Sequence, residues 1–212
     1  MASHWTKNRA IYSNIKLPKR FGGFKIRLFI GIELPENIIV ELHSLQNQLR
    51  KKVRRGRFPS KDNLHLTLQF LGETPESRVE DIIRSLQTVA KVNFPFKLSF
   101  NTHLGSFGYK NPVRVVWVGV NGEVAALLQL QTSIVGSMQK LGFSAESRVY
   151  HPHITLVRNV DFIDNDVLFD QERGEFNIEQ LSCFNIDHFC LLSSKVEQGK
   201  RIYDIVETFN LI

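Results

Sequence analysis

The same alternation occurs twice in this chain, as HLTLQF from His65 to Phe70 and as HITLVR from His153 to Arg158, about ninety residues apart. Each copy follows a strand-like run and a helix-like run of similar length, so the chain reads as two versions of one βαβ-type unit. In an extended chain, neighbouring side chains point to opposite faces. His65 and Thr67 therefore share one face while Leu64, Leu66 and Leu68 share the other, and His153 and Thr155 alternate in the same way with Ile154 and Leu156. A single H-x-T reads as the solvated side of a half-buried strand. Two copies in matching contexts point to one shared site.

The surrounding pattern gives the elements. KIRLFIGIEL reads as a strand, and PENIIVELHSLQNQLRKK as a helix opened by Pro35 with Ile38, Leu42, Leu45 and Leu49 on one face. A basic loop leads into the His65 strand. Pro75 opens a second helix through PESRVEDIIRSLQTVAKV, FPFKLSFN follows as a strand, and GSFGYKNP is a turn-rich loop. VRVVWVGV is the next strand, a third helix runs from about Glu123 to Leu141, and Gly142 ends it before the strand VYHPHITLVRN. IEQLSCF, IDHFCLLSS and RIYDIVETF are short β-rich runs able to complete two small sheets. Residues 1–24 lack periodicity and read as a flexible or peripheral extension, leaving 25–212 as a single domain.

With 27 Lys and Arg against 21 Asp and Glu, the net charge of +6 favours polyanionic partners. Part of it is concentrated in LRKKVRRGR, either a solvated helix end or an electrostatic landing strip for nucleic acid. Cys183 and Cys190 match neither a redox nor a zinc spacing and read as reduced core residues of a cytoplasmic protein. The chain holds no run of eighteen apolar residues and its N-terminal segment has no apolar signal core, which argues against a membrane span and a signal peptide.

If the halves pack about a pseudo-two-fold axis, His65, Thr67, His153 and Thr155 face one cleft. Two imidazoles near neutrality can act as an acid and base pair, and two hydroxyls can donate to phosphoryl oxygens. Arg158 could grip a phosphate oxygen. On strand parity it points away from His153 and reaches the cleft only if the strand twists or bulges.

HLTLQFLGE and HPHITLVR, with RLFIGIELPE and RVVWVGV, resemble the 2H phosphoesterase superfamily, most closely its RNA 2′,3′-cyclic phosphodiesterase branch, also called 2′-5′ RNA ligase-like. The resemblance runs from Lys25 to the C-terminus. It implies an α+β fold: two small, mostly antiparallel sheets in a bilobal pseudo-two-fold arrangement, helices on the outer faces, H-x-T strands facing a central cleft. It further implies metal-independent hydrolysis of RNA 2′,3′-cyclic phosphate ends to 2′-phosphomonoesters without a cofactor; with one motif copy on each half of a single chain, a monomer suffices to build the site. His65 matches the proton donor, His153 the proton acceptor, and Thr67, Thr155 and Arg158 the phosphate-binding residues. Where this branch often carries tryptophan, Phe58 stands as the substrate-binding aromatic that could stack on a base.

Three alternatives stay open. The two histidines are alike, so sequence alone does not say which one carries the proton. The same pair could run the reverse ligation, and the basic strip with Phe58 could serve an RNA-binding module without turnover. His151 and His153 also form H-x-H, but neither motif strand offers a carboxylate on the same face to complete a metal site. His4, His43, His103 and His188 lack a partner pattern and read as structural.

Overall fold

The computed structural model describes residues 24–108, 113–163, 178 and 181–212. Apart from Phe24, the expected extension over residues 1–24 lies outside them, as do part of the GSFGYKNP loop and part of IEQLSCF. The elements run β1 (Lys25–Glu33), α1 (Glu36–Arg50), β2 (Val53–Arg57), β3 (His65–Pro75), α2 (Val79–Ala90), β4 (Phe96–Phe107), β5 (Val113–Gly122), α3 (Val124–Lys140), β6 (His153–Phe162), β7 (Phe184–Ile186), β8 (His188–Glu197) and β9 (Lys200–Asn210).

Apolar spacing buries the helix faces as the sequence predicts, but Pro75 ends β3 and a 3₁₀ turn over Glu76–Arg78 follows, so α2 opens at Val79 rather than at Pro75. Ile38, Ile39, Leu42, Leu45 and Leu49 of α1, Ile82, Leu86 and Val89 of α2, and Leu127, Leu130, Ile134 and Met138 of α3 are buried at three- and four-residue intervals. All of them join one core with the alternate residues of the strands. The C-terminus of α3 shows why the chain stops there. Gly142 takes φ +84°, its N–H donates to Gln139 O at 2.9 Å, and Phe143 N–H donates to Met138 O at 3.1 Å. These two bonds satisfy carbonyls that the helix leaves open.

The strands form one antiparallel sheet in the order β7-β4-β5-β6-β3-β1-β8-β9, with β2 also paired to β6. The two expected sheets therefore meet rather than stand apart. Their junction is a single pair between β3 and β6, Leu66 opposite Ile154. Each is the middle residue of its H-x-T, so the pseudo-two-fold relation passes between them. Both are fully buried, which sends the flanking His and Thr of both motifs to the opposite face. The helices cover the Leu66 face, and the other face carries the site beside a small apolar cluster of Phe29, Cys190 and Leu192.

Three further expectations change. The basic segment after α1 is not simply a loop: Val53–Arg57 is an edge strand on β6, formed although VRRGR lacks apolar alternation because β6 supplies its backbone partners. The second motif strand begins at His153 rather than Val149, and Val149 is 94 % exposed. Cys190 is buried, but Cys183 is exposed rather than a core residue.

Candidate active site

Each catalytic candidate is held by its own strand entry. His65 Nδ1–H donates to the Asn63 carbonyl at 2.8 Å, and His153 Nδ1–H donates to the His151 carbonyl at 2.7 Å. A carbonyl accepts only from a protonated nitrogen, so both rings are fixed with the Nε2 lone pair free. For His65 that lone pair accepts the Thr67 hydroxyl hydrogen at 3.0 Å. Aromatic walls complete both positions. Phe29 and Tyr203 lie with centroids 5.0 and 5.1 Å from His65, and Phe107 and Trp117 lie 5.0 and 5.8 Å from His153.

The antiparallel pairing of Leu66 with Ile154 sets His65 beside Thr155 and Thr67 beside His153. A matching irregularity follows each motif. Trp117 pairs with Thr155 while Val116 pairs with Val157, so Leu156 is an extra residue in β6. Gly31 pairs with Thr67 while Ile30 pairs with Gln69, so Leu68 is its counterpart in β3. Such a bulge inverts strand parity. Arg158 therefore reaches the site face, where its Nη2 donates to Thr155 Oγ1 at 3.3 Å. The corresponding residue of the first half is Phe70, 52 % exposed, with its ring 6.0 Å from Phe29.

Two helix glutamines anchor the bulges. Gln46 of α1, fully buried, donates to the Leu156 carbonyl at 2.9 Å and to the Pro59 carbonyl at 3.1 Å, and Gln131 of α3 donates to the Leu68 carbonyl at 3.5 Å. Gln46→Leu should cost about 1–3 kcal/mol of stability, because it strands buried carbonyls. Chemical denaturation measures this, and unchanged stability would show that water replaces the amide.

Burial is the main cause that lowers both histidine pKa values. It brings His65 down to about 4, against the Asn63 carbonyl bond and with help from the charges of Arg158 and His153. His153 is lowered from 6.5 by burial, opposed by the His151 carbonyl and assisted by His151 and Arg158. Arg158 is itself lowered, first by burial, while Tyr203 opposes and Arg57 and Arg201 add to the shift. These three arginines gather from β6, β2 and β9. The cleft thus has a cationic flank, and it has aromatic walls at Phe29, Phe70, Phe107 and Trp117.

The sequence candidates His65, Thr67, His153, Thr155 and Arg158 come together on one face. Phe58 does not join them as an open stacking platform: it packs against the core and carries the Arg50 guanidinium 4.0 Å over its ring. His151 and His153 ring centroids are 6.5 Å apart, and among the described residues no third metal-ligating side chain groups with them. Arg201, Tyr203 and Phe70 were not singled out by the sequence, and Arg57 stood there only as the last cation of the basic LRKKVRRGR run. Only strand parity corrected for a bulge would have flagged Phe70, and Arg201 and Tyr203 arrive through β9, far from the motifs in sequence.

The LigT like phosphoesterase profile matches residues 32–117. An RNA 2′,3′-cyclic phosphodiesterase of Methanocaldococcus jannaschii is 30 % identical over 86 % of this chain and 99 % of its own length. TT0787 of Thermus thermophilus superposes with a TM-score of 0.70 at 23 % identity, over 88 % of this chain and 98 % of that one. E. coli LigT complexed with 3′-AMP gives 0.68 at 25 % identity over the same shares. The duplicated motif strands, their junction at Leu66 and Ile154, and a relative matched along nearly its full length agree: this chain belongs to the LigT-like phosphoesterases of the 2H superfamily.

Proposed function

We propose that this protein hydrolyses RNA 2′,3′-cyclic phosphate ends to 2′-phosphomonoesters, with His65 and His153 as the acid and base pair. The observation that carries this reading is the pair of Nε2 atoms presented to one cleft by the same backbone tether. The substrate phosphate is a monoanion, and Arg158, with Arg57 and Arg201 nearby, supplies complementary charge. The Thr155 hydroxyl accepts from Arg158 and keeps its own hydrogen for a phosphoryl oxygen. Thr67 can turn its hydrogen from His65 to the phosphate once His65 is protonated. Water attacks phosphorus as His153 Nε2 takes its proton, the P–O3′ bond breaks, and O3′ takes the proton from His65 Nε2. The donor and acceptor assignment follows the family resemblance.

Both motif strands lie in one chain, so a monomer of the 25–212 domain suffices. The exposed basic edge of β2 and the aromatic walls suit an RNA end. Free Cys183 and Cys190 fit a reducing cytoplasm. Among the described residues no helix is long and apolar enough to cross a membrane. The test is incubation of chelator-treated protein with a short RNA ending in a 2′,3′-cyclic phosphate. The expected product is the 2′-phosphate; absence of turnover across RNA lengths would overturn the reading.

The pH profile follows from the lowered pKa values. The productive free enzyme has one imidazole charged and the other neutral. With His65 as donor and His153 as acceptor, that form needs His65 charged although burial lowers its pKa to about 4, and His153 neutral, which its own lowering from 6.5 favours, so it is populated chiefly at acid pH. At higher pH the charged acid is lost, so kcat/KM should fall about tenfold per unit. The bound phosphate anion favours imidazolium, so the alkaline limb of kcat should lie at higher pH than that of kcat/KM. Initial rates across pH check both; a kcat/KM still rising through neutrality would contradict the electrostatics described above.

A further inference from the structure

We propose that Glu33, His188 and Cys190 form a binding site for one zinc-class divalent cation on the open face of the sheet, beside His65. Cys190 of β8 lies opposite Gly31 of β1 and Thr208 of β9, and its Sγ–H donates to Glu33 Oε2 at 3.3 Å. His188 Nε2 is 4.0 Å from the same oxygen, and the three donor atoms all lie within 4.8 Å of one another. Around a tetrahedral zinc with bonds of about 2.0–2.3 Å, neighbouring ligand atoms stand about 3.3–3.8 Å apart. One separation is already in that range and a second is within a few tenths of an ångström, so side-chain rotation can bring the set together.

The surroundings orient these groups. Asp187 Oδ1 accepts the His188 Nδ1–H at 2.5 Å, which fixes the tautomer and leaves Nε2 as the ligating atom, as in carboxylate–histidine–zinc arrangements. The Thr208 hydroxyl lies 3.5 Å from Cys190 Sγ. In a chain of net charge +6, this spot gathers Glu33, Asp187 and Glu207. Burial first, then Glu33 and Glu207, pushes the Cys190 thiol up. Among the described residues, Glu33 has His188 as its one ion-pair partner. The side chains of His188 and Glu33 are 33 % and 25 % exposed, so an ion can enter from solvent while buried Cys190 closes the inner end. A thiolate and an imidazole favour zinc over magnesium or calcium. Binding displaces the Cys190 proton, one per metal, so affinity rises with pH.

Glu33 is the register partner of His65 across β1 and β3. A dication there disfavours the His65 imidazolium, so zinc should slow turnover; this consequence rests on the proposed hydrolysis, whereas the binding does not. The test is titration of metal-free protein with Co²⁺, followed by displacement with Zn²⁺. The wild type should take up one equivalent with a thiolate-to-cobalt charge-transfer band and four-coordinate visible bands. Cys190→Ser should abolish the charge-transfer band, and Cys183→Ser should leave it. His188→Ala, at the partly exposed rim, should weaken binding at least about tenfold, and Asp187→Asn about 10–100-fold. Absence of the band in wild type, or its persistence in both Cys190→Ser and His188→Ala, would overturn the site. With activity intact, zinc should inhibit wild type but not His188→Ala. A protein that binds cobalt as described yet hydrolyses no cyclic phosphate would sink the proposed function alone, and an active protein without the band would sink the metal site alone.

Discussion

Replacing either His65 or His153 by alanine should lower kcat by about 10²–10⁴-fold while KM stays within about threefold. Each imidazole is fixed with Nε2 toward the cleft, so its loss removes proton transfer, whereas the phosphate keeps its hydroxyl and arginine partners. The double variant should be little slower than the worse single one, because one proton enters the pair as another leaves. Since His65 packs between Phe29 and Tyr203, thermal unfolding of the variants must accompany the kinetics. A folded His65→Ala protein with near wild-type kcat would remove His65 from the chemistry.

Thr67→Val should cost about 10²–10³-fold in kcat, the scale of losing one donor to a developing oxyanion. Valine keeps the shape and removes the hydroxyl that reaches His65 Nε2 at 3.0 Å. Thr67→Ser should restore most of the rate, which separates the hydroxyl from packing. Thr155→Val should carry a comparable loss and also raise KM, because Arg158 Nη2 donates to Thr155 Oγ1 and loses that anchor. Steady-state kinetics on a cyclic-phosphate oligonucleotide decide this. Equal kcat for threonine and valine at position 67 would show that the hydroxyl only orients the free ring.

What the sequence made legible was set by periodicity. The H-x-T alternation, the buried spacing of α1, α2 and α3, and the glycine stop at Gly142 are local patterns, and the structure contains each of them. The bulges at Leu68 and Leu156 were not legible, because a bulge is a count of one strand against its partner. That count decides where Arg158 points, and parity alone had pointed it away. The edge strand Val53–Arg57 lacks an apolar signature and exists through β6. Arg201 and Tyr203 enter from β9, more than a hundred residues after His65. Phe58 shows the converse: its aromatic character was visible, but the Arg50 guanidinium over its ring was not. His188 looked solitary in sequence because Glu33 comes from β1, although Cys190 lies only two residues further along β8 on the same face.

The two imidazoles, on the proposed reading, act from one cleft as donor and acceptor. The most direct measurement compares wild type, His65→Ala and His153→Ala on a normal 2′,3′-cyclic phosphate and on one with sulfur in place of the 3′ bridging oxygen, whose thiolate leaves without a proton. Both variants should fail on the oxygen substrate, and His65→Ala alone should recover on the sulfur substrate, because only the donor has become dispensable. Wild-type turnover of the oxygen substrate by either variant, or equal failure of both on sulfur, would contradict that reading.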